Sequence, residues 1–168
     1  MSAHRNHPGS ASAGSDGDRL AIPSPFDIHI GTQWLDLGPD EARARIAVED
    51  HHKQPFGVVH GGVFATLAES VCSPATYRAV VDRGMTAVGQ SNDTSLLRPV
   101  SQGHLNAVAR PRHRGRTTWV WEVEITDDDG RVCALARVTM AVRPAGRDGE
   151  PRLQREEADE AGSVPPGI

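Results

Sequence analysis

The residues best suited to chemistry stand close together, as His60-Gly61-Gly62 with Glu69 eight positions after Gly61. The spacing of apolar residues that follows the glycines predicts a helix, so the pair would lie at its start. The first N–H groups of a helix lack intrahelical partners and lie at the positive end of the helix dipole. A glycine N–H there can approach a substrate carbonyl and donate to its oxygen. By itself, a Gly-Gly pair is more often only a tight turn into a helix.

Glu69 is an ionisable group among mostly small or apolar neighbours, namely Leu67, Ala68, Val71 and Cys72. A single acid on a helix is usually part of a solvated face, but these neighbours leave little room for a broad polar stripe. An ionised carboxylate can act as a nucleophile or as a general base on water, and the sequence does not distinguish the two roles.

Two further polar residues precede the helix. Gln54 stands before a Pro-Phe-Gly segment, where it can hold a water or a carbonyl oxygen, or simply belong to a polar loop. His60 can either transfer protons or orient the loop, and we favour an orienting role.

The elements that must position these residues follow from periodicity. Alternation over Ala42 to Val48 predicts a strand, and Ile28 to Leu37 is its expected hairpin partner, turned near Gly38-Pro39-Asp40. Helical spacing predicts one long helix from Gly62 to about Val81, weakened or kinked at Pro74. Four strands are expected after the helix, at Thr86–Pro99, Gly103–Arg112, Arg116–Thr126 and Arg131–Arg143. This ββαββββ order predicts an α+β fold, a mostly antiparallel six-stranded sheet wrapped around one long helix.

The composition indicates which part of the chain folds and argues against several classes of function. The chain has 168 residues, and we expect a domain over 22–143 between a disordered tail, 1–21, and a loose C-terminal tail, 144–168. A formal charge of −4 does not favour nucleic acid or an anionic membrane surface. No apolar run predicts a membrane span, and two cysteines among small apolar residues suit free thiols in the cytoplasm. We expect no metal site.

The segment from Gln54 to Ser70, together with the order of elements, resembles the hotdog-fold acyl-CoA thioesterases of the PaaI-like and 4-hydroxybenzoyl-CoA thioesterase group. The His-Gly-Gly, apolar, acid pattern is the most specific part of the resemblance, which covers about Ile28 to Arg143. It implies hydrolysis of acyl-CoA to a free acid and CoA, without a cofactor, since CoA is part of the substrate. It also implies a homodimer at least, and a tetramer built as a dimer of dimers.

The resemblance implies a catalytic set of Gln54, Gly61 and Glu69, with His60 beside it and a hydroxyl one turn after the acid at Ser73. A rise of about 1.5 Å per residue separates Gly61 from Glu69 by roughly 12 Å along one helix. One chain cannot bring both to a single carbonyl. If both act, Glu69 must come from a second subunit whose helix runs antiparallel across a two-fold axis.

Basic residues cluster between Arg110 and Arg116, at an expected hairpin turn. Such clusters are often solvated faces paired with nearby acids, but arginines also bind phosphates such as those of CoA. We expect the substrate to contact five residues: Gly62, Arg114, Gly115, Arg116 and Thr117.

Two other functions remain open. One is a non-catalytic acyl-CoA-binding dimer, and the retained Glu69 argues against it. The other is a hotdog hydratase or dehydratase, whose His-containing loops we do not find. The acyl group cannot be predicted from the sequence, because the depth of the pocket depends on side chains that the sequence does not place.

Overall fold

The computed structural model of the protein describes residues 24–146. The predicted tail 1–21 lies outside that range, as does the predicted tail 144–168 except for its first three residues, of which Pro144 ends the last strand. Two α-helices, two short 3-10 helices (Asp50–His52 and Val81–Arg83) and six strands are present there, and the predicted ββαββββ order of the central elements is confirmed. Their bounds are α1 Pro25–His29, β1 Thr32–Leu37, β2 Ala42–Ala47, α2 Gly61–Val80, β3 Met85–Leu96, β4 His104–Arg114, β5 Thr118–Thr126 and β6 Val132–Pro144.

The beginning of the predicted first strand is wrong. Residues Ile28 and His29 belong to helix α1, and the strand begins only at Thr32. Ser24 caps this helix by accepting a hydrogen bond from the Asp27 N–H at 3.1 Å, and Pro25 occupies its first turn. Because a capped start with proline favours a helix, these local signals form a helical turn before the strand begins.

The six strands form one antiparallel sheet in the order β1-β2-β4-β5-β6-β3, so β1 and β3 are its edges. Helix α2 contacts every strand, since the sheet curves around it. The alternation of β2 is confirmed, because Ala42, Ala44 and Ile46 are buried while Arg43 is exposed. The core between helix and sheet includes Leu67, Val71, Leu105, Trp121, Ile125, Val138 and Met140.

Helix α2 continues through Pro74, which lacks the N–H that would bond to the carbonyl of Ser70. The indole N–H of Trp34 donates to that carbonyl at 2.8 Å instead. Ser70 is held further by its hydroxyl, which donates to Asp27 at 2.6 Å. The residues around β1 and α1 therefore compensate for the proline and keep α2 continuous.

Candidate active site

The start of helix α2 leaves one backbone donor free. His60 is the N-cap, and its Nδ1 accepts the Gly62 N–H at 2.9 Å while its carbonyl accepts the Val63 N–H at 2.9 Å. The Gly61 N–H has no acceptor among residues 24–146. Because Nδ1 accepts a hydrogen bond, the ring proton of His60 lies on Nε2. The imidazole thus orients the first turn and leaves Gly61 at the positive end of the helix.

A second histidine, His52, holds the first turn of helix α2 in place through the backbone of His60. The His60 N–H donates to the carbonyl of His52 at 2.8 Å, and the His52 side chain is only 2% exposed. Its Nδ1 accepts the Glu49 N–H at 3.0 Å, so its Nε2–H donates to the carbonyl of Ile30 at 3.1 Å. Burial, with a smaller contribution from neighbouring His51, lowers the pKa of His52. Sequence reasoning missed this residue, because nothing in a His-His pair says which ring is buried.

Gln54 begins the tight loop before the helix. The loop is closed by an antiparallel bridge between Lys53 and Val59, and the Gln54 N–H donates to the carbonyl of Val58 at 2.9 Å. Gly57 has φ of +78°, a conformation that favours glycine. The Gln54 side chain is half-buried, and Phe56 at the loop tip is 87% exposed.

Strand β3 runs antiparallel to helix α2 and contacts it at three positions along the helix, Gly61, Ala65 and Glu69. A Cβ at Gly61 would lie 2.6 Å from Cδ1 of Leu96, so this glycine packs closely on β3. The Asn92 amide donates to the carbonyl of Ala65 at 2.8 Å. The exposed Glu69 places its carboxylate against Gly89, further along the strand.

The structure therefore separates the two principal candidates within one chain. Gly61 and Glu69 belong to one continuous helix and lie about 12 Å apart along its axis at 1.5 Å per residue. Ser73 follows Glu69 by one turn and is half-buried, and no hydrogen bond within the described range joins the two. Cys72, which is buried beside them, is not a competing nucleophile, because burial and then the Glu69 charge raise the pKa of its thiol.

The basic segment forms the β4–β5 hairpin, but most of its charges are already paired. Arg114 pairs with Asp40 and stacks over Trp119, with Cζ 5.5 Å from the ring centroid. Arg110 and Arg112 pair with Glu41 and Glu122, at 2.6 and 3.2 Å. Arg116 is exposed and has no acidic partner within residues 24–146. It is the member of the cluster best able to bind an anion.

Two other members of the hairpin have backbone roles. The Gly115 N–H donates to the carbonyl of Thr118 at 2.8 Å, and a Cβ at Gly115 would lie only 2.9 Å from that oxygen. The carbonyl of Thr117 accepts the Val142 N–H at 2.9 Å, which ties the turn to β6. These contacts account for a glycine in the turn without a substrate.

Sheet register locates the hairpin relative to the helix. Thr118 pairs with Ala141, which pairs with Val88, the residue before Gly89. The hairpin thus lies beside the part of β3 that contacts Glu69, about 10 Å from it across two strand spacings. Leu96, beside Gly61, pairs with Ala134 seven residues away along β6, which places the Gly61 level roughly 23 Å from the hairpin.

A curved antiparallel six-stranded sheet around one long helix is the hotdog architecture. Residues 56–134 match the model of the thioesterase superfamily. The chain is 40% identical over 114 residues to proofreading thioesterase EntH of Cronobacter turicensis, covering 68% of this chain and 82% of that protein. The chain belongs to the thioesterase superfamily and is a thioester hydrolase.

Solved structures agree with this assignment. The structure of Rv1847 from Mycobacterium tuberculosis is 41% identical, has a TM-score of 0.71, and covers 73% of this chain and 99% of its own. A variant of thioesterase PA1618 from Pseudomonas aeruginosa is 33% identical with a TM-score of 0.71, covering 79% and 97%. The predicted fold and family are thereby confirmed. In the part of the chain that the structure describes, no helix has the length and hydropathy to cross a membrane.

Proposed function

We propose that this protein hydrolyses acyl-CoA thioesters, with the Gly61 N–H as donor to the carbonyl oxygen and Glu69 as the reacting carboxylate. The observation that carries the proposal is the helix start, where His60 accepts the Gly62 N–H and the Gly61 N–H has no acceptor in the described part of the chain. Attack on a thioester builds negative charge on the carbonyl oxygen, and a preorganised backbone donor stabilises that charge. The capping geometry therefore matches what the reaction requires.

Glu69 can complete the reaction by either of two routes. As a general base it takes a proton from water, whose oxygen attacks the carbonyl carbon, and the C–S bond then breaks to release the CoA thiolate. As a nucleophile it attacks the carbon itself, expels the thiolate and forms a mixed anhydride that water hydrolyses. In both routes the thiolate ends as the protonated thiol. Gln54 would hold the water or the carbonyl oxygen, and Ser73 would assist one turn beyond Glu69.

If Gly61 and Glu69 both act, the proposed site requires two subunits, because one helix keeps the two residues apart. If Gly61 of one chain faces Glu69 of an antiparallel partner, the two-fold axis passes the midpoint of the pair, at Ala65. The residues on both sides of that midpoint, Gly62 and Thr66, are small and incompletely buried. Helices can therefore approach closely there.

The proposed two-fold symmetry also brings the helix start of one chain close to the β4–β5 hairpin of the other. Each Glu69 lies at the level of its own β4–β5 hairpin, whereas each Gly61 lies far from it. A thioester bound between Gly61 of one chain and Glu69 of its partner would thus extend towards the partner's Arg116. A guanidinium with no acidic partner among residues 24–146 suits a CoA phosphate, since arginine binds phosphate through two N–H groups.

The deciding measurement is free-thiol release from a panel of acyl-CoA substrates by the wild type and by Glu69→Gln. Glutamine keeps the size of the side chain but cannot act as base or nucleophile, so we expect at least a 100-fold loss of kcat. Unchanged thiol release by Glu69→Gln would refute the role of Glu69. Binding of acyl-CoA without thiol release by the wild type would instead support the non-catalytic binding dimer.

Sharing between subunits has its own test. Glu69→Gln and Gln54→Ala subunits are each expected to be inactive alone, but their heterodimer contains one complete site. Random mixing makes half of the dimers heterodimers, so about a quarter of the wild-type activity should return. Confirmed heterodimers without recovered activity would show that each site is built from one chain.

A further inference from the structure

Strand β3 is irregular where it passes Glu69. Its pairing with β6 shifts between Gly89 and Ser91, so that Gln90 is an extra residue in the strand. All three residues are exposed. A bulge of this kind changes the direction of neighbouring side chains and is common beside active sites.

The glycine at this bulge is not required by the backbone. Gly89 is absent from the five glycines of residues 24–146 that have positive φ, so an L-residue could adopt its conformation. Glycine inside a strand also weakens it relative to alanine, by roughly 0.5–1 kcal/mol. Some other feature must account for the missing side chain at this position, and close approach of a neighbouring group is the usual one.

That neighbouring group is the Glu69 carboxylate. A Cβ at Gly89 would overlap Oε1 of Glu69 and lie 3.1 Å from its Cδ. The space that a methyl group would fill is therefore the space that the carboxylate occupies. Because the overlap involves only the far end of a flexible side chain, the carboxylate can rotate away from a methyl group without a shift of the β3 backbone.

We infer that Gly89 is a positioning residue for Glu69, which rests on the proposed role of that carboxylate in hydrolysis. The bare backbone of β3 lets the carboxylate lie against the strand, and a side chain at Gly89 would push it away from the reacting carbon. A displacement of about 1 Å at a reacting group can cost 100-fold in rate. Stability and activity should thus respond differently to one added methyl group.

The first experiment compares Gly89→Ala with the wild type. We expect kcat to fall about 10- to 100-fold with KM changed less than 3-fold, because the substrate contacts remain while the carboxylate shifts. Urea unfolding at the same protomer concentration should show no loss of stability. Wild-type kcat in Gly89→Ala would overturn the inference.

A shorter acid supplies the control that separates positioning from a general disturbance of β3. Aspartate at position 69 lacks one methylene, so its carboxylate withdraws by about 1.5 Å and leaves room for a methyl group. In the Glu69→Asp background we expect Gly89→Ala to cost less than 3-fold in kcat. An equal loss in both backgrounds would mean that the bulge itself was damaged, and would refute the inference.

A structural readout does not depend on residual activity. In a crystal structure of Gly89→Ala, the Glu69 carboxylate should have left β3 for another rotamer, with the β3 backbone unchanged. A carboxylate still in place would overturn the inference. Failure of the proposed function is distinct, since it would appear as full activity of Glu69→Gln.

Discussion

The compensation of Pro74 by Trp34 gives a prediction whose magnitude follows from the structure. In Trp34→Phe the indole donor is lost, and the carbonyl of Ser70 has no replacement because Pro74 has no N–H. An unsatisfied buried carbonyl costs about 1–3 kcal/mol, and this partly buried one should lie near 1–2 kcal/mol. The smaller phenyl ring adds a further loss of packing.

A double-mutant cycle separates these two contributions. In Pro74→Ala, residue 74 regains an N–H that can donate to Ser70, so loss of the indole donor no longer leaves the carbonyl unpaired. The packing loss is the same in both backgrounds and cancels in the cycle. We expect Trp34→Phe to cost about 1–2 kcal/mol less in the Pro74→Ala background than in the wild type.

The assay is urea unfolding followed by far-UV circular dichroism, since tryptophan fluorescence changes with the substitution. All four proteins must be compared at one protomer concentration, because the stability of a dimer depends on concentration. Equal costs of Trp34→Phe in both backgrounds would refute the argument that the indole N–H replaces the missing helix donor.

Three other predictions test the dimer, the support of the helix start and the phosphate site. If the two-fold axis of the dimer passes Ala65, a short bis-maleimide should cross-link Ala65→Cys efficiently. Arg78→Cys is the control and should not be cross-linked, because it lies about 39 Å from its symmetry mate. Cross-linking of Arg78→Cys but not of Ala65→Cys would place the two-fold axis elsewhere. The pKa of His52 in the folded protein lies below its usual value of 6.5, so the unfolded chain takes up a proton more readily. The free energy of unfolding should therefore be highest above pH 6.5 and fall as the pH drops below it. If His52→Gln showed the same dependence of the unfolding free energy on pH, His52 would be excluded as the cause. Arg116→Ala should raise KM for acyl-CoA about 5-fold and leave KM unchanged for the same acyl group on N-acetylcysteamine, which has no phosphate. Arg112, which pairs with Glu122, is the control, and Arg112→Ala should leave both KM values unchanged. Equal effects of Arg116→Ala on the two substrates would exclude Arg116 from phosphate binding.

Most elements of the fold could be predicted from short-range patterns. Strands β2 and β5 alternate along their whole length, and β6 alternates from Ala134 to Met140, because one face of the sheet covers the core. Helix α2 repeats its apolar residues at helical spacing for the same reason. The error at Ile28 came from extending the hairpin partner of β2 towards the N-terminus without considering the capping signal at Ser24-Pro25 before it. Local patterns conflict there, and the cap is the stronger signal.

The candidate site was predictable in its residue types but not in its contacts. His60, Gly61 and Glu69 were recognisable from their spacing, whereas the hidden support from His52 was not. The basic hairpin shows the same limit, because sequence could not tell that Arg114 pairs with Asp40 while Arg116 has no acidic partner in the described range. Pairing depends on which strands become neighbours.

By itself the sequence determined the order of the elements, the helix start and the acid two turns later, because these depend on residues close together along the chain. Only the tertiary structure decided which backbone donor and which arginine have no partner within residues 24–146, and that Glu69 lies against Gly89 twenty positions later. Such contacts follow from sheet register and from the path of β3 along α2, where residues distant in sequence compete for the same few ångströms of space.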